Sequence, residues 1–382
     1  MKRKILITTD LFTTATNGVV TSVMNLWNEL DKSGHDVRIL TLSDKMKSHR
    51  DGTVYYIRSI PIGVYPDVRM PTSYHHQLLR ELVDWKPDVI HSQCEFFTFQ
   101  YALHISKLTG APIVHTYHTM YEQYVTYVIP YERFGRYVVR VLSKKRLKRV
   151  STIIVPTHKV EEALLGYGME NKICIVPSGI NLAQHQRRLS PEQRAEKRKA
   201  LGLADDQSVL INLGRLGTEK NLAELLYYFS DALRNHDDMV FLIVGDGPAK
   251  EQLEKQAADL GISDHVIFTG MVEPSSVQDY YQLGDVFVSA STSETQGLTY
   301  IEAAANGLPL LCRHDPCLKD VLVQGENGYE YTCEEEFLQA ISAVIGDPGW
   351  RASACRRSEE IASAFDKKTF GSAMQEIYES VL

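Results

Sequence analysis

Short runs of apolar, often β-branched residues recur along the chain between helix-length amphipathic segments, and this alternation limits the fold more than any other feature. In the first half KILITT (4–9), DVRILTL (36–42), DVIHS (88–92), PIVHTY (112–117), STIIVP (151–156) and ICIVP (173–177) read as strands. In the second half SVLINLG (208–214), MVFLIVG (239–245), HVIFTG (265–270), DVFVSA (285–290) and LPLLC (308–312) do the same. Strands this uniformly apolar are buried on both faces, which calls for parallel sheets with helices on either side. The series pauses between 181 and 206, where NLAQHQRRLSPEQRAEKRKALGLADD is polar and begins a new helix. The expectation is α/β: two Rossmann-like doubly wound domains, 1–185 and 186–365, facing across a cleft where ligands bind beyond the carboxyl ends of the strands. A final helix over about 366–382 is compatible with packing back on the first domain.

Charge and cysteine usage narrow the class. The net charge of −7 hides an asymmetry: residues 1–180 carry 23 Lys and Arg against 16 Asp and Glu, and the remainder carries 18 against 32. One half is basic and the other strongly acidic, so charge has to be read locally. No apolar run approaches the length of a membrane span, and the apolar piece after MKRK is strand-length, too short for a secretory signal. Six scattered cysteines make no disulfide framework, and a reduced cytoplasmic setting is expected. Cys312, His314 and Cys317 cluster without a second ligand group at a familiar spacing, so no bound metal is expected.

The stretch SETQGLTYIEAAANGLPLL (293–311) has the small, apolar make-up of a buried helix, yet it holds Glu294 and Glu302. Burying a carboxylate is costly unless a partner satisfies it. Here Ser293, Glu294 and Thr295 fall at a helix start, where unpaired N–H groups favour an anion. Gly297 permits close backbone approach. Glu302 lies about 12 Å further on if the intervening residues are helical. That separation suits an extended ligand with hydroxyls at both ends and phosphate between them, a nucleotide diphosphate sugar, each carboxylate gripping a diol. The plainer alternative is a helix cap and a lysine partner.

Residues 133–149, RFGRYVVRVLSKKRLKR, hold eight Lys and Arg and no acid. At helical spacing Arg133, Arg136, Arg140 and Lys144 share one face, with Lys145 and Lys148 close by, while Phe134, Val138, Val141 and Leu142 fall largely on the other. Such a helix reads as an element that seeks an anionic membrane surface, and the six tyrosines from Tyr117 to Tyr137 favour a lipid–water boundary. The alternative is a solvated helix with its apolar side on the sheet. No recognised nucleic-acid module accompanies the basic face, and no nucleic-acid partner is expected.

These residues resemble the retaining GT-B glycosyltransferases of the large GT4-type family with an E-x7-E signature, and the likeness spans nearly the whole chain. Glu294 and Glu302 match that signature within a loop–helix pattern ending in Asn306-Gly307-Leu308-Pro309. The resemblance implies that Glu294 holds hydroxyls of the donor sugar and Glu302 the nucleotide ribose. It implies that the amides around Thr295, Gln296, Gly297 and Leu298 approach the sugar and diphosphate; Gln296 stands where the family usually has Phe. LGRLGTEKN (213–221) supplies Arg215 and Lys220 at the positions of the family's diphosphate-binding pair, and two cations stabilise a leaving diphosphate without metal. IVGDGP (243–248) matches a structural turn, and Val272 the segment lining the base pocket. Gly18, in Asn17-Gly18-Val19, stands where the family commonly has two glycines, opening a helix towards the diphosphate or acceptor. His118, in VHTYHTMYEQY (114–124), matches an active-site histidine near the donor sugar, whereas His115 reads as packed; Glu122 fits a site carboxylate or a solvent-facing one equally.

The family is generally thought to replace the nucleotide from the front face, the leaving phosphate oxygen taking the acceptor proton. Catalysis is then mostly positioning and charge stabilisation. HSQCEFFTFQ together with HTYHTMYEQYVTYVIP is similar to the bacterial diacylglycerol glucosyltransferases. The expected activity is transfer of a hexose, glucose from UDP-glucose foremost, to diacylglycerol at the cytoplasmic face of the membrane by a peripherally bound enzyme with no tightly held cofactor. A monoglycosylated lipid or a soluble acceptor stays open, as does a sugar-nucleotide 2-epimerase, which shares the architecture. The first strand lacks a following G-x-G-x-x-G, which disfavours a dinucleotide. No Asp-x-Asp follows a strand, which argues against a metal-bound diphosphate.

Overall fold

Each apolar run predicted to be a strand is one, and most are buried along their length, which explains their composition. The computed structural model describes residues 1–12, 18–62, 68–74, 76–123 and 131–382. The chain divides into two units, Met1–Gly179 with Lys367–Leu382, and Ile180–Asp366.

In the first unit the strands are Lys4–Thr8 (β1), Asp36–Ser43 (β2), His49–Asp51 (β3), Val54–Pro61 (β4), Arg69–Pro71 (β5), Val89–Ser92 (β6), Ile113–Thr116 (β7), Thr152–Val155 (β8) and Lys172–Ile175 (β9). They run in the order β3-β4-β2-β1-β6-β7-β8-β9, with β5 on β4. The central pairs are parallel, and β3 and β5 are antiparallel additions to β4. Strands β3 to β5 are absent from the expectation. VYYIRSIP mixes buried and exposed positions because it lies near the sheet edge, and so it lacks the continuous apolar signal of β6 or β8.

The final helix, Lys367–Val381, belongs to this unit. Phe370, Met374, Ile377 and Tyr378 join a core with Val23, Leu26 and Leu30 of the helix Gly18–Lys32. Burying side chains of this size stabilises by roughly 1.5–3 kcal/mol each. Arg3 holds Glu379 through two hydrogen bonds, of 2.9 and 2.7 Å, at the rim of the same contact.

The second unit holds Ser208–Leu213 (β10), Met239–Val244 (β11), Val266–Phe268 (β12), Val286–Ser289 (β13), Leu310–Arg313 (β14) and Gly328–Tyr331 (β15). The order is β12-β11-β10-β13-β14-β15, all parallel. Counted within the unit this is 3-2-1-4-5-6, the doubly wound order, whose direction reverses between β10 and β13. All six residues of β11 are buried, as a central strand covered on both faces must be. Strand β15 is short and carries Gly and Glu, and no strand was expected there.

The loops beyond β10 and β11 fit backbone against backbone. Gly214 N donates to Val244 O at 2.9 Å, Leu216 N to Asp246 O at 2.9 Å, and Ala249 N to Leu216 O at 2.9 Å. Gly245 has φ +135°, and a β-carbon there would stand 1.9 Å from the Gly214 carbonyl oxygen. Only glycine meets both conditions. Gly245→Ala is therefore expected to cost about 3 kcal/mol or more, from the strained φ plus the clash, read as a lowered urea midpoint. A variant as stable as the parent would mean the two loops are not in contact.

Candidate active site

At the reversal point of the second sheet, β10 and β13 pair through Leu210–Val286 and Ile211–Phe287. One step further the side chain of Asn212 takes over from the ladder, its Nδ2 donating to Val288 O at 2.7 Å. Two loops leave the carboxyl ends of these neighbouring strands, and each carries candidate residues. Lys220, from the first loop, forms an ion pair with Glu294 of the second. Ser291 Oγ donates to the same carboxylate at 3.1 Å, and Ser293 Oγ to Glu219 O at 3.3 Å. Arg215 is paired within its own loop, with Glu219. The ammonium of Lys220 has three hydrogens, so it can hold Glu294 and still donate to an anion.

The helix after this loop spans Leu298–Ala305, with Gly297 as its N-cap at φ +72°. Ser293, Glu294 and Thr295 thus precede the helix rather than open it, and the 12 Å spacing, which assumed helix throughout, does not apply. Gln296 is buried at 5% exposure, and Thr295 is half-buried. Glu302, on the helix, accepts from Tyr281 Oη at 3.0 Å. Tyr281 is fully buried in the helix Val277–Tyr281, and Val272 and Leu298 pack on the same apolar cluster. Loss of water raises the Glu302 carboxyl to about 7, although the tyrosine hydrogen bond pulls the other way. Tyr281 lies 21 residues before Glu302 on another helix, and no sequence pattern links the two.

In the first unit the carboxyl ends of β6 and β7 bring a second group together. His118, part-buried, has Nε2 2.6 Å from Gln93 Oε1. Burial, and then the neighbouring His115, push its pKa down to about 3, so the ring is neutral. His115 is fully buried, its Nε2 3.0 Å from Glu95 Oε1, which agrees with a packed role. Glu95 also accepts from Tyr121 Oη at 2.6 Å, and its carbonyl accepts from Arg146 at 2.8 Å. Gln93 and Glu95 are polar, nearly fully buried, and were not singled out from the sequence. Glu122 sits in the short turn Tyr121–Gln123, half-buried. Gly18 is the first, exposed residue of its helix; Asn17 lies outside the described residues.

The basic segment forms the helix Glu132–Leu147. Its inward positions are Gly135, Ser143 and Leu147, with Arg146 turned in to reach Glu95. Phe134, Tyr137, Val141 and Leu142 are 61, 64, 44 and 46% exposed, so the apolar side is not spent on the sheet. Arg133, Arg136, Arg140, Lys144, Lys145 and Lys148 are exposed as well. Tyr124 and Tyr127 lie outside the described residues. Among the described residues no helix is long and apolar enough to cross a membrane, and no group of His, Cys, Asp and Glu side chains is placed to hold a metal ion.

Two doubly wound units, with acidic and basic side chains gathered at the strand ends, have the architecture of the GT-B glycosyltransferases. Residues 16–184 match Glycosyltransferase Family 4, and residues 193–362 match Glycosyl transferases group 1. The chain belongs to this family and is an enzyme of it. It is 34% identical over 373 residues to the alpha-monoglucosyldiacylglycerol synthase of Streptococcus pneumoniae, covering 97% of this chain and 84% of that one. Its likeness to the Acholeplasma laidlawii protein of the same name is 30% over 371 residues, 95 and 93% of the two chains. Among solved structures, Anabaena HepE in complex with UDP and glucose superposes with a TM-score of 0.78 at 18% identity, over 99 and 100% of the two chains. Sucrose-phosphate synthase of Thermosynechococcus elongatus does so with 0.80 at 19%, over 100 and 99%.

The raised carboxyl of Glu302 makes stability depend on pH. Its folded value, about 7, lies above the ordinary 4.5, so its contribution is complete below about 4.5 and is lost as pH rises towards 7. Urea melts are expected to show the parent losing stability relative to Glu302→Gln between pH 5 and 8; a constant difference would mean that this carboxyl is well hydrated.

Proposed function

We propose that the enzyme moves a hexose, glucose from UDP-glucose foremost, onto diacylglycerol at the cytoplasmic face of the membrane, with retention of anomeric configuration. The observation that carries the lipid acceptor is the outward apolar stripe of Phe134, Tyr137 and Val141 beside six exposed cations on one helix. Aromatic and aliphatic side chains left in water next to Lys and Arg fit the boundary of an anionic bilayer, where each basic residue contributes about 1 kcal/mol. The names of the two full-length relatives point the same way.

For the donor, the reading places the sugar hydroxyls on Glu294, the ribose on Glu302, the base against Val272, and the diphosphate near Arg215, Lys220 and the amides of Thr295, Gln296, Gly297 and Leu298. Gly18 opens its helix towards the diphosphate or the acceptor. The Lys220–Glu294 pair supports this assignment, because it gathers a cation for phosphate and an acceptor for hydroxyls at one sheet edge. His118 is assigned beside the reacting sugar. A neutral imidazole there orients a hydroxyl without adding charge, while the cations stabilise the departing diphosphate. The UDP complexes among the solved relatives favour a uridine nucleotide.

Incubation with radiolabelled nucleotide sugars and diacylglycerol in anionic or neutral liposomes, followed by lipid separation, tests the reading. Label is expected in a diacylglycerol glycolipid, from UDP-glucose, with anionic vesicles, and Glu294→Ala should lose that label while remaining folded. Label only in a soluble acceptor would overturn the lipid assignment, and conversion of the nucleotide sugar without transfer would point to an epimerase. Replacing Arg140, Lys144 and Lys145 by Glu should weaken vesicle binding by roughly a hundredfold or more and leave turnover of a soluble acceptor analogue much less affected. Equal losses in both would count against a docking role.

A further inference from the structure

We propose that Tyr281 is the positioning residue for Glu302: its buried hydroxyl holds one carboxyl oxygen and so sets the plane in which that side chain meets the two vicinal hydroxyls of the donor ribose. The proposal rests on the reading of Glu302 as the ribose-binding residue and adds what keeps it in place for that task.

Tyr281 is 0% exposed, so no ligand reaches it and it acts only through its neighbours. Its ring packs on Phe287 of β13, 6.1 Å away between centroids, and on His185 of the helix Leu182–His185, 6.4 Å away. That packing fixes where the hydroxyl lies, 3.0 Å from Glu302 Oε2 and 3.4 Å from the Thr299 carbonyl oxygen. Among the described residues Tyr281 is the side chain that bonds the Glu302 carboxyl, and Glu302 is half-buried, within reach of a ligand. The backbone of Glu302 is pinned as well. Its carbonyl accepts from Asn306 N at 3.1 Å and Asn306 Nδ2 at 2.9 Å, and that amide lies 3.0 Å from His185 Nδ1.

The hydroxyl serves both forms of the carboxyl. Burial first, and then the adjoining carboxylate, hold the phenol far above its ordinary value, so it keeps its hydrogen. When Glu302 is ionised that hydrogen goes to Oε2, and both carboxylate oxygens keep lone pairs for a vicinal diol. When Glu302 is protonated, its own hydrogen goes to Tyr281 Oη, and the tyrosine hydrogen turns to Thr299 O; the carboxyl then offers fewer acceptor sites but keeps its place. The tyrosine hydrogen bond favours the ionised form, against the burial that raises the carboxyl to about 7. Phenylalanine at 281 would remove that opposition, so the carboxyl would ionise at a higher pH and turn without its tether. Around this helix His185 is held at about 4 by burial, and the thiols of Cys312 and Cys355 are pushed up by burial. Asp279 pairs with Lys197, Glu359 with Arg188, and Arg313 with Glu224.

Binding of UDP-glucose and of its 2′,3′-dideoxyribose analogue to the full-length protein, by calorimetry between about pH 5 and 9, tests the proposal. The parent is expected to prefer the ribose ligand by a margin that grows as pH rises through about 7. Tyr281→Phe is expected to bind UDP-glucose about tenfold less tightly at neutral pH, with KM raised and kcat little changed, and to recover part of that loss at higher pH. It should bind the dideoxy analogue as the parent does. Equal affinity of the parent for both ligands would overturn the ribose reading of Glu302, and the proposal with it. A parent that discriminates, beside a Tyr281→Phe variant with the same margin and pH profile or one that weakens both ligands alike, would overturn the Tyr281 proposal alone. Should Tyr281→Phe not fold, carbon-13 spectra of the protein labelled at tyrosine Cζ decide. One signal is expected to follow the ionisation of Glu302 in the parent and to stay still in Glu302→Gln; the lack of such a signal would overturn the proposal.

Discussion

The adjacency of β10 and β13 governs the second unit. Where the strand order turns, the connections diverge to opposite sides, and the carboxyl ends of two neighbouring strands are left uncovered by helix. Asn212 bridges the parting strands through the Val288 carbonyl, and the two loops then meet through Lys220 and Glu294. Glycine at 245 lets the next turn press directly on the first loop, so the loop is supported from beneath rather than left to its own conformational preferences. A site built this way has a hydrogen-bonded backbone floor beneath the Lys220–Glu294 pair.

The first unit solves the same problem with buried polar side chains. Glu95 satisfies His115, Tyr121 and Arg146 together, and Gln93 joins His118 to His91 and so to Tyr378. A buried carboxylate or amide without such partners would cost several kcal/mol, so these contacts are conditions for folding as well as for positioning. Arg146 gives the basic helix a fixed attachment to the strand ends, and its outward side is left to cations and aromatic rings. Lysine and arginine make up most of that surface, so its attraction to anionic partners falls with salt.

Much of this was legible in the residues. Strands covered on both faces are apolar, so β1, β2, β6 to β8 and β10 to β14 announce themselves, as does the apolar edge strand β9, while β3 to β5 and β15 do not, being short or one-sided. The ordered spacing of Gly214, Arg215, Lys220, Glu294 and Glu302 identified the family before any contact was known. What spacing did not reveal was Tyr281 on Glu302, Glu219 on Arg215, or Gln93 on His118, because each pairing depends on side chains from separate elements or on a rotamer choice.

By itself, then, the sequence determined the architecture, the family and the amphipathic character of the basic helix, since hydrophobic period and local spacing are properties of neighbouring residues. Only the tertiary structure decided which side of that helix is inward. Gly135, Ser143 and Leu147 take the packed positions, and Phe134, Tyr137 and Val141 do not, because the anchor through Arg146 fixes the helix's rotation. It also decided that Glu294 lies in a loop ahead of its helix and that His118 is neutral. Those facts follow from burial and from partners distant in the chain, which no local pattern encodes.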